Sequence, residues 1–313
     1  MNNLPIAVVL ATLAGLLNGS YIAPLKGQSS SNSLVWILFG AITFLILPLI
    51  ALSYGISQHA FELPSRYFIY ILLVGVLFGA GMYLITKSVQ FIGIGIPFAL
   101  SIALGTLSGS LFSTVLLGSK LTVWHYLSYL VFIVSIVLYS ISLNIRDKGQ
   151  NKNWAKGLIM CLVGSILCAS QGATLSYFTN YFKANNQGFA AQLIPWTLIF
   201  ISCSIIFMLS HHMDNKKSEK AIEWRYVIVT SLIMSVLYAL SVVFYTIGNS
   251  MMASFSEQYL WVIFMGCIVI ASTICSYAKG EWKDCSVKGN FINSLAIVFL
   301  VSSLILITLS SIK

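Results

Sequence analysis

The sequence predicts an all-α polytopic membrane protein of about ten transmembrane helices, and three observations predict it. Of its 313 residues 58% are hydrophobic and only 8% charged, where a soluble domain carries about 25% charged residues. Mean hydropathy is +0.91, more apolar surface than so few charges can screen from water. The apolar residues form continuous runs of about 20, the length a helix needs to cross a hydrocarbon core about 30 Å thick, rather than the alternation of a strand barrel.

Reading apolar runs against polar breaks places spans at 4–24, 33–55, 67–88, 92–117 and 122–143, then at 154–180, 189–210, 226–248, 252–278 and 290–311. The first follows "MNN" with no Lys or Arg ahead of it, so it reads as a retained helix and not as a signal peptide. Spans one, three and four carry Gly15 and Gly19, Gly75 and Gly79, and Gly105 and Gly109, each pair four apart. Small residues at that spacing let membrane helices approach closely.

Pro24, Pro48, Pro97 and Pro195 lie in or at the ends of spans, where proline frees a carbonyl and kinks the axis. Pro97, with Gly93 and Gly95, predicts distortion at the start of span four; Pro195 beside Trp196 predicts a second site in span seven. Either is a hinge or a static kink. Lys87 near one end of span three, and Lys26 after span one, read as lysines that snorkel to headgroups. The pair His211–His212 reads as a polar interfacial end, since a metal would need a third ligand nearby. No metal site is expected.

With ten spans the loops alternate sides, and 13 of the 17 Lys and Arg residues fall on the side of the first loop. The positive-inside rule then puts both termini outside and the loops near 146–156, 211–225 and 279–288 in the cytoplasm. The net charge of +9 is accounted for by anchoring to lipid headgroups, and nucleic acid need not be invoked. No HExxH, GxSxG or Walker loop is present. An enzyme, a cofactor-binding protein and an ATP-driven pump are therefore not expected. The six cysteines lie within or near spans without CxxC spacing and read as buried free thiols.

Ten spans divide into five and five around the basic loop, giving halves 1–145 and 146–313. An odd number of spans per half inserts the second upside down, the inverted repeat of many secondary transporters. "MYLITKSVQFIGIG" (82–95) and "LYALSVVFYTIGNS" (237–250) share Tyr83/Tyr238, Ile92/Ile247 and Gly93/Gly248.

Of eight acids, seven are expected in loops or at span ends, and Glu257 alone inside a span, roughly 7–8 Å from its start. A buried ionised acid costs roughly 2.5–3.5 kcal/mol, and desolvation favours the neutral carboxyl. Such a group suits ion coupling, with a proton or with sodium; a carboxylate at a helix N-terminal end is the structural reading. Candidates for holding a sugar-like solute are Asn18 and Tyr21, Gln171, Thr174 and Tyr177, Tyr238 and Tyr245, and Gln258 and Trp261. Amides and hydroxyls hydrogen-bond the solute while rings cover its apolar faces. Interhelical hydrogen bonding is the alternative for each.

Several stretches resemble a known family. "YIAPLK" (21–26), "GIGIPFALSIALGTL" (93–107), "LYALSVVFYTIG" (237–248), "SEQYLW" (256–261) and "KGEW" (279–282) are similar to motifs of the L-rhamnose–proton symporter family of the drug/metabolite transporter superfamily. Glu257 stands where that family has an aspartate, and Pro97 interrupts the glycine-rich run. The resemblance implies a ten-helix fold of the drug/metabolite transporter type, a central cavity, ion-coupled transport of a small metabolite, and a bacterial cytoplasmic membrane. An exporter or exchanger of another solute is the alternative, and a membrane enzyme or a non-transporting sensor the third.

Overall fold

The computed structural model describes residues 4–25, 32–57, 65–117, 122–146, 153–184, 189–215, 222–251 and 257–309. The described chain runs α1 (Leu4–Ser20), α2 (Asn32–Gly40), a π-helical stretch (Ala41–Ile46), α3 (Leu47–Ser57), α4 (Ser65–Ile92), α5 (Gly95–Leu117), α6 (Val123–Arg146), α7 (Trp154–Ala184), α8 (Phe189–Asn215), α9 (Trp224–Ser250), α10 (Glu257–Ala278) and α11 (Val287–Leu309). No strand occurs among the described residues.

Seven described helices are long and apolar enough to cross a membrane: Asn32–Ser57, Tyr67–Ile92, Val123–Arg146, Trp154–Gly172, Leu193–Asp214, Trp224–Ser250 and Val287–Leu306. The other three expected spans coincide with shorter apolar segments, Leu4–Ser20, Gly95–Ser108 and Ile263–Ala278. The chain is an all-α multi-pass membrane protein. Span seven runs past its expected end at 210, because α8 continues to Asn215. The sequence "HHMDN" is polar but holds no Gly or Pro to stop a helix, so His211, His212 and Asp214 stay on it.

Helix α1 buries a face of small residues, and α6 buries three serines. In α1 the buried residues are Ala7, Ala11, Ala14, Gly15 and Gly19, whereas Ile6, Val9 and Leu13 are exposed. In α6 Ser128, Ser135 and Ser142 are buried beside Phe132, Tyr139 and Leu143, whereas Leu130, Ile133 and Val137 are exposed. Hydrocarbon is as apolar as leucine, so close packing and hydrogen bonds, rather than escape from water, hold such helices together.

Two compact units divide the chain. Unit 1 comprises Met1–Ala23, Leu84–Ser165 and Leu240–Lys313, and unit 2 comprises Pro24–Tyr83 and Ile166–Ala239. Each draws on both 1–145 and 146–313.

In unit 1, α1 lies on α10. A Cβ at Gly15 would meet the Phe264 carbonyl oxygen and come within 2.5 Å of Cys267 Cβ; one at Gly19 would lie 2.6 Å from Ala271 Cβ. Antiparallel α6 and α11 are joined by Ser128 Oγ donating to the Ser303 carbonyl at 2.7 Å and Ser135 Oγ to the Ala296 carbonyl at 2.8 Å. In unit 2, α4 lies on α8, where a Cβ at Gly75 would strike Ser202 and one at Gly79 would lie 2.6 Å from the Cys203 carbonyl oxygen. Two of the three expected glycine pairs therefore make close crossings. Gly105 does not: a Cβ there would meet nothing within 4 Å.

The proline expectations divide similarly. Gly93 has φ +85° and forms the turn that ends α4, after which α5 starts cleanly at Gly95. Pro97 sits in the first turn of α5, where no intrahelical N–H is needed, so it starts a helix rather than distorting one. Pro195 is buried inside α8, which is α-helical from Phe189 to Asn215. The irregular helix lies instead before Pro48. There Leu47 N–H donates to the Ile42 carbonyl, five residues back, and the backbone is π-helical from Ala41 to Ile46. Pro48 cannot donate, and its ring crowds the carbonyl four residues earlier; widening the preceding turn relieves both.

Candidate functional site

The nominated residues fall in both units. In unit 1, one face of α9 gathers three of them. Asn18 Nδ2 on α1 donates to Ser241 Oγ at 3.1 Å. One turn along α9, the Tyr245 ring meets Trp261 of α10 edge-on at 5.6 Å and lies 4.6 Å from Phe264. The approach of α1 to α9 continues at Gly248, where a Cβ would lie 3.2 Å from the Ala7 carbonyl oxygen. An amide, two hydroxyls and an indole thus line successive turns of neighbouring helices. Tyr21 goes elsewhere, buried with its ring edge-on to Phe98 of α5 at 5.5 Å.

Glu257 is the first residue of α10, four positions before Trp261. The expectation placed it about five residues into a helix from 252; residues 252–256, and the side chains of Glu257 and Gln258, lie outside the described ones.

In unit 2 Thr174, Tyr177 and Tyr238 are taken up by interhelical contacts. Thr174 Oγ1 bonds the Ser170 carbonyl at 2.8 Å and the Tyr70 hydroxyl at 3.1 Å. Tyr177 bonds the Tyr67 hydroxyl at 3.2 Å, and Gln171 is half-buried on the same helix. Tyr238 is buried, its ring 5.9, 5.8 and 6.2 Å from those of Phe39, Phe44 and Phe200.

Two acids that sequence reasoning passed over have structural partners. Glu281, read as a loop charge, sits at the start of α5. Its Oε1 accepts from Ile94 N–H at 2.7 Å and its Oε2 from Ser276 Oγ at 2.5 Å. Ser276 Oγ accepts in turn from Trp282 Nε1 at 3.1 Å. The Arg146 guanidinium lies 5.3 Å above the Trp282 ring and donates to the Ile92 carbonyl at 3.2 Å. Burial lowers the neighbouring Lys279 ammonium below its ordinary value, and the Glu281 charge opposes that shift. Asp214, expected beyond a span end, is on α8 and accepts from the Tyr83 hydroxyl at 3.0 Å. The signal for it was the i, i+3 spacing of His211 and Asp214, which puts both on one helix face.

All six cysteines are free. Among the described residues no group of three or more His, Cys, Asp or Glu side chains is placed to hold a metal. No family model matches the chain, and no curated protein matches it. Fold and site together define an all-helical, multi-span membrane protein whose buried polar side chains face neighbouring helices, an architecture consistent with membrane transport.

Proposed function

We propose that the protein is an ion-coupled secondary carrier of a sugar or similar small polar metabolite, with a proton, or sodium in its place, as the coupling ion. The observation that carries this reading is the convergence of Asn18, Tyr245 and Trp261 on one face of α9, with Glu257 one helical turn before Trp261. Amide and hydroxyl groups hydrogen-bond a polyol, and the two rings cover its apolar face. A carboxyl in hydrocarbon is cheapest when protonated, so Glu257 binds its proton on the side where protons are abundant and releases it on the other.

The resemblance of its motifs to those of the rhamnose–proton symporter family supports a drug/metabolite transporter fold of two inverted five-helix repeats. So do two packing pairs, α6 with α11 and α2–α3 with α8, since such a symmetry would map each pair onto itself. The carrier works in a bacterial cytoplasmic membrane with both termini outside.

Solute uptake into vesicles containing the purified protein tests the reading. One member of a panel of small sugars is expected to accumulate under an imposed proton or sodium gradient, and to stop accumulating when the gradient is collapsed. Uptake no faster than in protein-free vesicles, for every sugar and both ions, contradicts it.

A further inference from the structure

We infer that the turn between α4 and α5 in unit 1 carries a binding site for the phosphate of an acidic phospholipid headgroup. Lys156 is its principal ligand, and Arg146 and Lys279 add their charge beside it. The Lys156 ammonium lies 5.4 Å from the centre of the Phe91 ring. The Arg146 guanidinium donates to the carbonyl of the next residue, Ile92, at 3.2 Å and lies 5.3 Å over the Trp282 ring. Lys279 feels the charge of Glu281, whose carboxylate accepts the Ile94 N–H. Three cations thus meet at one turn.

The turn stands where the apolar segments stop. The spans of α4 and α6 end at Ile92 and Arg146, that of α7 begins at Trp154, and the apolar segment of α10 ends at Ala278. Tyr277 and Trp282 stack there at 6.1 Å, rings of the types that gather at headgroup depth.

A lysine that only snorkels reaches any headgroup on a flexible stem. Lys156 is set in place. α7 comes so close to the end of α4 that a Cβ at Gly157 would lie 2.6 Å from Phe91 Cβ, which brings the preceding lysine to the turn. Its side chain is exposed, in a first helical turn that holds no acid and where the helix dipole disfavours a cation. Loss of water lowers the Lys279 ammonium below its ordinary value. A phosphate offsets both costs. Glu281 does not neutralise the three cations: it brings one negative charge, already held by the Ile94 N–H and Ser276 Oγ. Asp284 is exposed beside the exposed Lys283. Basic pockets between membrane helices hold acidic headgroups, whereas a choline headgroup carries its own compensating cation.

The inference does not rest on the carrier reading, because lipid binding is read without transport. The full-length protein in neutral detergent is titrated with dioleoyl phosphatidylglycerol, and separately with dioleoyl phosphatidylcholine, while its thermal midpoint is followed. A saturable rise is expected with phosphatidylglycerol and not with phosphatidylcholine. Lys156→Gln should raise the half-saturating mole fraction about fivefold, the share of one basic residue near a headgroup surface, and Lys156→Arg should restore it. Arg225→Gln makes the same charge change at an exposed residue of α9 in unit 2, and should leave half-saturation unaltered. Equal responses to the two lipids overturn the inference. So does an equal loss in Lys156→Gln and Arg225→Gln, which assigns the attraction to the basic charge of the whole chain. Glycerol 3-phosphate tests a soluble source of the same group: a rise equal to that with phosphatidylglycerol overturns the lipid assignment.

Discussion

The backbone N–H of Ile94 donates a 2.7 Å hydrogen bond to Oε1 of Glu281, 187 residues further along the chain. That carboxylate caps the start of α5, where the helix dipole favours negative charge, and its other oxygen holds Ser276 near the end of α10. The turn between α4 and α5 is thereby fixed to the turn between α10 and α11.

Replacing the carboxylate by an amide should weaken this fastening. Glu281→Gln keeps the shape but loses charge-assisted bonds, which are worth about 1.5–3 kcal/mol each. A net loss of about 1–2 kcal/mol is expected, read as a lower thermal midpoint in detergent. Gly93→Ala should cost a similar amount. Its left-handed φ of +85° disfavours a side chain, and the added Cβ would stand 2.6 Å from Glu281 Oε2. Midpoints equal to wild type in both variants would remove Glu281 from the fold's anchoring.

The glycines offer a contrast within one experiment. Gly15→Ala forces a methyl against the Phe264 carbonyl and Cys267 at the α1–α10 crossing, whereas Gly105→Ala meets open space. The first is expected to destabilise by about 1–3 kcal/mol. The second should be neutral, or stabilising by up to about 1 kcal/mol through helix propensity. Thermal midpoints of the two variants, measured side by side, check the sign of each.

The spans were legible because lipid imposes a length. A run such as 226–248 has to be helical once about 20 apolar residues must satisfy their own backbone groups. Partners were not legible. Ser241 sits in an apolar run like any other serine, and only the crossing of α1 over α9 brings it to Asn18. Glu281 read as a loop charge because nothing local ties residue 281 to residue 94. Span seven was cut short at His211 because polarity was taken as its end, which hid the helical spacing of His211 and Asp214. Pro48 marked an irregularity, but the π-helical turns that absorb it depend on how the preceding carbonyls repair their bonds.

Asn18 separates a solute-binding role from a packing role. An interhelical hydrogen bond in a membrane contributes about 0.6 kcal/mol, so Asn18→Ala should barely alter the thermal midpoint. If the amide also binds solute, the half-saturation concentration for uptake should rise about tenfold, the loss of roughly 1.4 kcal/mol of binding. A change in stability with unaltered uptake would assign Asn18 to packing alone.

Ion coupling through Glu257 is the central claim, and solute-induced proton movement in proteoliposomes tests it most directly. Wild type and Glu257→Gln would be compared across one panel of small sugars, with a pH-sensitive dye inside the vesicles. The account predicts a proton signal with a particular sugar in wild type, and none in a Glu257→Gln protein that folds and still binds that sugar. Proton movement of equal size in both proteins would contradict it.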